Sequence, residues 1–325
     1  MKILVFGAGA VGSTIGGMLA RMENDVVLIG RNPHMSRITN SGLKISGLWG
    51  DHHVKMIRGM TELPSDFSPD LILLTTKAYA TEASAQLLAR AYPQPIPILH
   101  LQNGVGNAEK IAEHVGWDRV ISGMVIIGFQ VALAGRTVVT VQADSIKIGR
   151  SNGDIDPIVE KIASTFADAG MPAEAVSNIQ THLWGKVLYN SALNPLAAIL
   201  GVPYGRLLDE YPWQIIQGVI QEAFAVLNAE KQSLFWENAD QYLIHLKNVQ
   251  IPSTFEHKPS MLSDLRHARP TEIDVLNGAL VQLGKKWGIP TPVNGTLLEI
   301  IHSFEENGKR GILHPSLQMG GGEAS

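Results

Sequence analysis

Residues 1–32 read MKILVFGAGAVGSTIGGMLARMENDVVLIGRN, and this stretch decides the class of fold. Lys2–Phe6 is a short apolar run that stops at Gly7, residues 10–22 are small or apolar at helical spacing, and Asp25–Ile29 is a second buried-strand pattern. Between the first strand and the helix lies Gly7-Ala8-Gly9-Ala10-Val11-Gly12, a G-x-G-x-x-G motif in the context that gives it meaning. Gly7 permits the tight turn, Gly9 lets the backbone approach a pyrophosphate, and Gly12 allows close helix–strand packing. The helix N-terminus adds N–H donors and a partial positive charge. The stretch therefore predicts a dinucleotide-binding β-α-β unit rather than a merely Gly-rich helix start.

Working outward, residues 70–75, 97–101 and 120–127 are further strand candidates, with a helical pattern over 81–92. Strands alternating with helices predict a parallel, doubly wound sheet. Shorter strand-like pieces at 43–45, 54–57 and 137–142 predict a hairpin turning at Gly135 and a mixed edge to that sheet. Beyond Gly153 the pattern becomes helical, at 155–169, 181–193, 213–228, 238–248, 272–287 and 293–304. The expected fold is thus an α/β Rossmann domain over residues 1–178, an all-α domain over 179–314, and a frayed, flexible tail over 315–325. Two lobes imply a cleft. A chain of 325 residues fits two domains at the usual length of roughly 100–200 residues each.

The bulk composition removes several classes of function. With 26 Lys and Arg against 30 Asp and Glu the net charge is −4, and no basic cluster offers a field to a nucleic-acid backbone. The absence of cysteine excludes disulfides and thiolate chemistry. No segment approaches the roughly 20 apolar residues of a membrane span. Eleven histidines include no H-E-x-x-H, and His52 and His53 would point to opposite faces of a strand, so no metal is expected. The expected partner is a small molecule, met in the cytoplasm; a homodimer stays open.

The end of the second strand discriminates between dinucleotides, because an acidic residue there binds a ribose 2′-hydroxyl and repels a 2′-phosphate. This chain has Gly30-Arg31-Asn32, and Arg31 predicts NADP(H) unless it is simply a solvated surface residue. Lys77 follows the strand at 70–75 directly, and Asn103 follows the next strand in Gln102-Asn103-Gly104, both at the carboxyl ends where open α/β sheets bind ligands. A loop lysine and an Asn-Gly turn are equally good accounts of those two.

In THLWGKVLYNSALNPL, residues 181–196, His182, Lys186, Asn190 and Asn194 recur every four residues and line one helix face, about 6 Å apart in rise. Asparagine is a mediocre helix former, so a stripe of this kind in an apolar helix calls for a side-chain reason. Pro195 is expected to kink or end the helix where the stripe finishes. Lys186 is the candidate general acid: hydride reaching a ketone carbon leaves an alkoxide that needs a positive charge and then a proton. Further on, Ser260 could cap a short helix or meet a substrate carboxylate, and Glu272 could complement the dipole of a helix starting there or serve chemistry.

Taken together, GAGAVG, Arg31, TTKAY, LQNGVG, LWGKVLYNSALNPL and SMLSDLRHARPTEID resemble the ketopantoate reductase (2-dehydropantoate 2-reductase) family over nearly the whole chain. The resemblance implies NADPH-dependent reduction of 2-dehydropantoate to pantoate, with a helical second domain like that of 6-phosphogluconate dehydrogenase. It implies Lys186 as proton donor and Glu272 as an acid near nicotinamide and substrate. It further implies Asn190, Asn194 and Ser260 as substrate contacts, and Lys77 and Asn103 as cofactor contacts beside the Gly7–Gly12 loop. Two positions depart from the pattern: Tyr204 stands where some members carry a substrate-binding asparagine, and His257 replaces a polar residue before the serine. A reductase of another branched 2-keto acid, and a non-catalytic NADP(H)-sensing protein, are the alternatives. The second would be expected to lose the Lys186 and Glu272 pair, which this chain keeps.

Overall fold

In the computed structural model, which describes residues 1–312, the chain divides into two compact units, Met1–His182 and a second from Leu183 onward. The expected tail over 315–325 lies outside the described residues. No helix among the described residues is long and apolar enough to cross a membrane.

The first unit contains strands β1 (Lys2–Phe6), β2 (Asp25–Ile29), β3 (Leu43–Gly47), β4 (His52–Val54), β5 (Arg58–Met60), β6 (Leu71–Leu74), β7 (Ile98–His100), β8 (Val120–Met124), β9 (Ile127–Leu133), β10 (Arg136–Gln142), β11 (Ile146–Gly149) and β12 (Ala173–Ala175). Its helices are α1 (Ala10–Ala20), α2 (His34–Ser41), α3 (Thr81–Ala91), α4 (Asn107–Val115) and α5 (Pro157–Asp168). Eight strands form the main sheet in the order β12-β11-β8-β7-β6-β1-β2-β5. The order runs outward from β1 in both directions, with Ile3 paired to Val26 on one side and to Leu71 on the other. The carboxyl ends of β1 and β6 are therefore a topological switch point, where ligands of such sheets bind.

Apolar side chains point alternately to the two faces of these strands, as strand geometry requires. Leu4, Ile72 and Ile98 pack with Leu88 and Ile111 of α3 and α4. Ile3, Val5 and Leu73 pack with Ile15 and Met18 of α1 and with Ile162 and Phe166 of α5. Helix α5 starts where Pro157 follows Asp156, whose carboxylate accepts from the Ile158 and Val159 N–H groups at 2.9 Å.

The expected mixed edge is corrected. The hairpin through Gly135 does form, β9 against β10, but it belongs to a separate four-stranded sheet of order β4-β3-β10-β9. Leu43, Ile45 and Val139 need an apolar partner and find it on the outer side of α1. Gly17 makes the approach close, since a Cβ there would lie 2.6 Å from Leu43. The antiparallel pair in the main sheet is instead β11 with β8.

Helix α6 (Ile179–Leu200) contains the boundary between the units, after His182. It is followed by α7 (Glu210–Ala229), α8 (Ala239–His245), α9 (Ile251–Ser253), α10 (Ser260–Arg266), α11 (Asn277–Trp287) and α12 (Pro292–Lys309). Two sequence expectations are corrected here, the first of them only in its alternative that the helix ends at Pro195 rather than kinks. Helix α6 does not end at Pro195; it runs through it to Leu200, because Leu193, Leu196, Ala197 and Ala198 are all buried and hold the last turns in place. Nor does Glu272 open the next long helix. It precedes a short 3-10 turn, Ile273–Val275, and α11 begins only at Asn277, after Leu276 adopts a non-helical φ of −110° and ψ of −103°.

Candidate active site

The Gly7–Gly12 loop connects β1 to α1 at the switch point. Gly7 has φ +105°, and a Cβ there would lie 2.4 Å from the Thr76 nitrogen, so only glycine fits beside the loop after β6. A Cβ at Gly12 would lie 2.4 Å from Thr75 Oγ1, whose hydroxyl donates to the Gly7 carbonyl at 2.9 Å. Gly9, by contrast, faces open space: nothing lies closer than 4.0 Å to its missing Cβ. The Gly7 and Ala8 N–H groups both donate to the Ile29 carbonyl, at 3.0 and 2.8 Å, which fixes the loop and leaves the N–H groups of Ala10, Val11 and Gly12 at the start of α1 for a ligand. No acidic side chain occupies the first turn of α1. These features fit a phosphate-bearing dinucleotide.

A residue that sequence reasoning missed steadies this loop. His34 Nδ1 accepts from the Gly135 N–H at 3.0 Å, so the proton sits on Nε2, which lies 2.9 Å from Ser13 Oγ and donates to it. Ser13 in turn donates to the Ala8 carbonyl at 3.1 Å. Burial lowers the His34 pKa and keeps the ring neutral, as this relay requires. Nothing local in the sequence announces it, because Gly135 is 101 residues away.

Arg31 follows β2 and Gly30 with its side chain exposed, and no carboxylate pairs with it among the described residues. Lys77 and Asn103 follow β6 and β7 on the same edge of the sheet, both half-buried. Gln102 joins their loops, donating to the Thr76 carbonyl at 2.9 Å and to Thr81 Oγ1 at 2.8 Å. Asn107 adds a bond to the Asn103 carbonyl at 3.0 Å.

The second unit gathers the other predicted residues. A concavity is lined by Asn194, Ser260, Met261, Asp264, Glu272 and Leu276. Lys186 and Asn190 lie on the same helix as Asn194, two turns and one turn earlier. Lys186 keeps some exposed surface, but the protein packed around its ammonium desolvates it and lowers its pKa to about 8, with the negative charge of Glu272 acting in the opposite direction. Glu272 is itself buried. Asn194, which lines the concavity, accepts a hydrogen bond from the buried Tyr204 hydroxyl on its amide oxygen, so the amide nitrogen is the group it has for a further partner. Tyr204 is held edge-on by Tyr189, at 5.7 Å between centroids, and against His257 at 5.2 Å.

Of the sequence-predicted set, Asn194, Ser260 and Glu272 thus share one wall, and Lys186 is coupled to it through Glu272. His182, the first member of the stripe, falls in the other unit, where Lys147, Asp144 and Glu174 act on it. Ser260 is the first residue of α10, with Pro259 as the capping position. Met261, Asp264 and Leu276 were not predicted to line the site, and Tyr204 was read only as standing where some members carry a substrate-binding asparagine, not as the donor to Asn194. Asp264 was accessible in principle, since it stands four residues after Ser260 and so on the same helix face.

A desolvated amine beside a carboxylate can hold a proton near neutral pH and release it to a developing oxyanion. A Rossmann unit followed by a helical unit with such a site defines a class of nicotinamide-dependent oxidoreductases. The family described as ketopantoate reductase PanE/ApbA matches residues 3–153, and its C-terminal counterpart matches residues 178–305. A 2-dehydropantoate 2-reductase from Aquifex aeolicus is 37% identical over 310 residues, 94% of this chain and 97% of that protein. A solved PanE/ApbA family ketopantoate reductase from Ralstonia eutropha JMP134 superposes with a TM-score of 0.86 at 30% identity, covering 95% of this chain and all of that one. D-mandelate dehydrogenase with NADH and anilino(oxo)acetate is also similar, with a TM-score of 0.85 at 28% identity over 95% of this chain and 99% of that one. The chain belongs to the ketopantoate reductase family.

Proposed function

We propose that this protein reduces the 2-keto group of 2-dehydropantoate to the hydroxyl of pantoate with NADPH, and that Lys186 is the proton donor. On this reading residues 1–178 carry the cofactor, through the Gly7–Gly12 loop, Arg31, Lys77 and Asn103. Residues 179–314 carry the substrate, through Asn190, Asn194 and Ser260. The observation that carries the reading is Lys186 on the helix that brings Asn194 to the concavity shared by Ser260 and buried Glu272, with its amine desolvated and within the influence of the Glu272 charge. Bound NADPH supplies hydride to the keto carbon. As the C=O double bond opens, the oxygen takes a proton from Lys186 Nζ, so the ketone becomes a secondary alcohol and the lysine is left neutral until solvent reprotonates it. Glu272 favours the charged amine that begins the cycle. We infer a cytoplasmic location, with no nucleic-acid or membrane partner, and leave a homodimer as part of the proposal.

The protonation state sets the direction of the pH dependence. The amine is charged below about 8 and loses its proton above it. Turnover in the reductive direction is expected to be level at neutral pH and to fall about tenfold per pH unit above the midpoint. Oxidation of pantoate should rise over the same range. Initial rates in both directions across one pH series check this; parallel profiles would exclude Lys186 as the titrating group.

A second reading is reduction of another branched or aryl 2-keto acid. It is favoured by the aromatic cluster of Tyr189, Tyr204 and His257, which meets the site through the Tyr204 bond to Asn194, and by the likeness to D-mandelate dehydrogenase. Loss of nicotinamide absorbance with a panel of 2-keto acids tests both. The proposal expects 2-dehydropantoate to have the highest kcat/KM, and preference for an aryl keto acid would replace it with the second reading.

A further inference from the structure

Pro195 lies five residues before the end of α6, and a proline there removes the N–H that would donate to the Ser191 carbonyl. That carbonyl is not left without a donor. Asn277 Nδ2, from the first residue of α11, donates to it at 3.1 Å. The same nitrogen donates to Asn294 Oδ1 at 3.0 Å. Asn294 Nδ2 donates to Glu222 Oε2 at 2.8 Å and to the Val219 carbonyl at 3.2 Å. Glu222 also accepts from the Val293 and Asn294 N–H groups at 2.7 and 2.9 Å, which seats the first turn of α12 on α7.

The orientation of the Asn277 amide follows from its neighbours. Asn294 Nδ2 is committed to Glu222 and Val219, so Asn294 presents its oxygen, and the Ser191 group is a carbonyl. Both partners are acceptors, and only the nitrogen of Asn277 satisfies them. Its Oδ1 makes no hydrogen bond among the described residues, so the side chain serves wholly as a donor. Asn277 and Asn294 are fully buried. Asn277 also stands five residues after Glu272, across one short 3-10 turn. The bond to Ser191 therefore ties the segment carrying Glu272 to the helix carrying Lys186, Asn190 and Asn194.

We propose that Asn277 is a positioning residue: its amide replaces the backbone donor removed by Pro195, keeps α6 continuous through the site, and fixes the Glu272 segment against that helix. This rests on the proposed roles of Lys186 and Glu272. The proline and the asparagine form a matched pair, and each is explained by the other.

The test is a cycle of Pro195→Ala, Asn277→Ala and the double variant, in the full chain with NADPH and 2-dehydropantoate. Pro195→Ala returns an N–H to position 195, so the Ser191 carbonyl no longer depends on Asn277. Asn277→Ala alone is expected to lower kcat at least tenfold and to move the alkaline limb of the reductive pH profile to lower pH, because the charge of Glu272 draws back from the amine. The NADPH dissociation constant should not change. In the Pro195→Ala background the same substitution should cost less in kcat, because α6 no longer depends on Asn277, while the limb still moves, because the tie to the Glu272 segment is lost in both backgrounds. Loss of the Asn294 contact is common to both backgrounds and cancels. Should Asn277→Ala fail to fold, the double variant is still expected to fold and to show the shifted limb relative to Pro195→Ala. Equal losses in the two backgrounds would overturn the proposal. The wild-type assay separates the underlying reading: absence of turnover there refutes the function, and the pairing is then judged by whether Pro195→Ala restores the melting temperature lowered by Asn277→Ala.

Discussion

Replacing Lys186 with alanine is expected to lower kcat for 2-keto acid reduction by roughly 10²- to 10⁴-fold, the range for loss of a positioned general acid. Without the ammonium, negative charge on the substrate oxygen would form in a concavity lined by two buried acidic residues, Asp264 and Glu272, whose negative charge repels it. Water could still deliver a proton, but without a fixed geometry. NADPH affinity should be retained, since the Gly7–Gly12 loop and the edge of the sheet that steadies it lie wholly in the first unit. Steady-state turnover combined with NADPH fluorescence titration checks both halves, and a variant with unaltered kcat would remove Lys186 from the chemistry.

Arg31→Ala carries the second large effect, on the choice of dinucleotide. A 2′-phosphate is a dianion that a guanidinium meets with two parallel donors, and charge-assisted bonds of this kind are about twice as strong as neutral ones. Because the side chain is exposed, the loss of NADPH affinity is expected to be roughly 10- to 100-fold rather than more. NADH has no group for Arg31 to lose and should bind within about twofold of wild type. Isothermal titration with both nucleotides decides the matter: equal losses would place the 2′-phosphate elsewhere.

The parts of the molecule that were legible in the sequence are those where a local rule coincides with the tertiary result. Gly7, Gly9 and Gly12 are spaced by what a backbone needs when it turns from strand to helix, and that need is the same in any Rossmann sheet. Lys186, Asn190 and Asn194 were visible because a four-residue repeat of polar groups is hard to reconcile with an otherwise buried helix. Ser260 and Glu272 were placed only by family resemblance, since serine and glutamate at helix starts have ordinary structural uses. Where a local rule was applied alone it failed. Pro195 reads as a kink or an end of the helix, yet the helix runs on, with the missing donor supplied by Asn277, 86 residues from Ser191. The strand at 137–142 reads as a sheet edge, yet its apolar side found α1. In both cases the deciding partner is remote in sequence, and for Pro195 it meets a backbone atom that has no residue signature.

The proposed chemistry requires a Lys186 amine desolvated enough to serve as an acid near neutral pH. NMR titration of the lysine amines, with the Lys186 signal assigned by its absence in Lys186→Ala, measures this directly. A midpoint near the expected value of about 8 agrees with the account, whereas titration near the ordinary lysine value of 10.5 would contradict it.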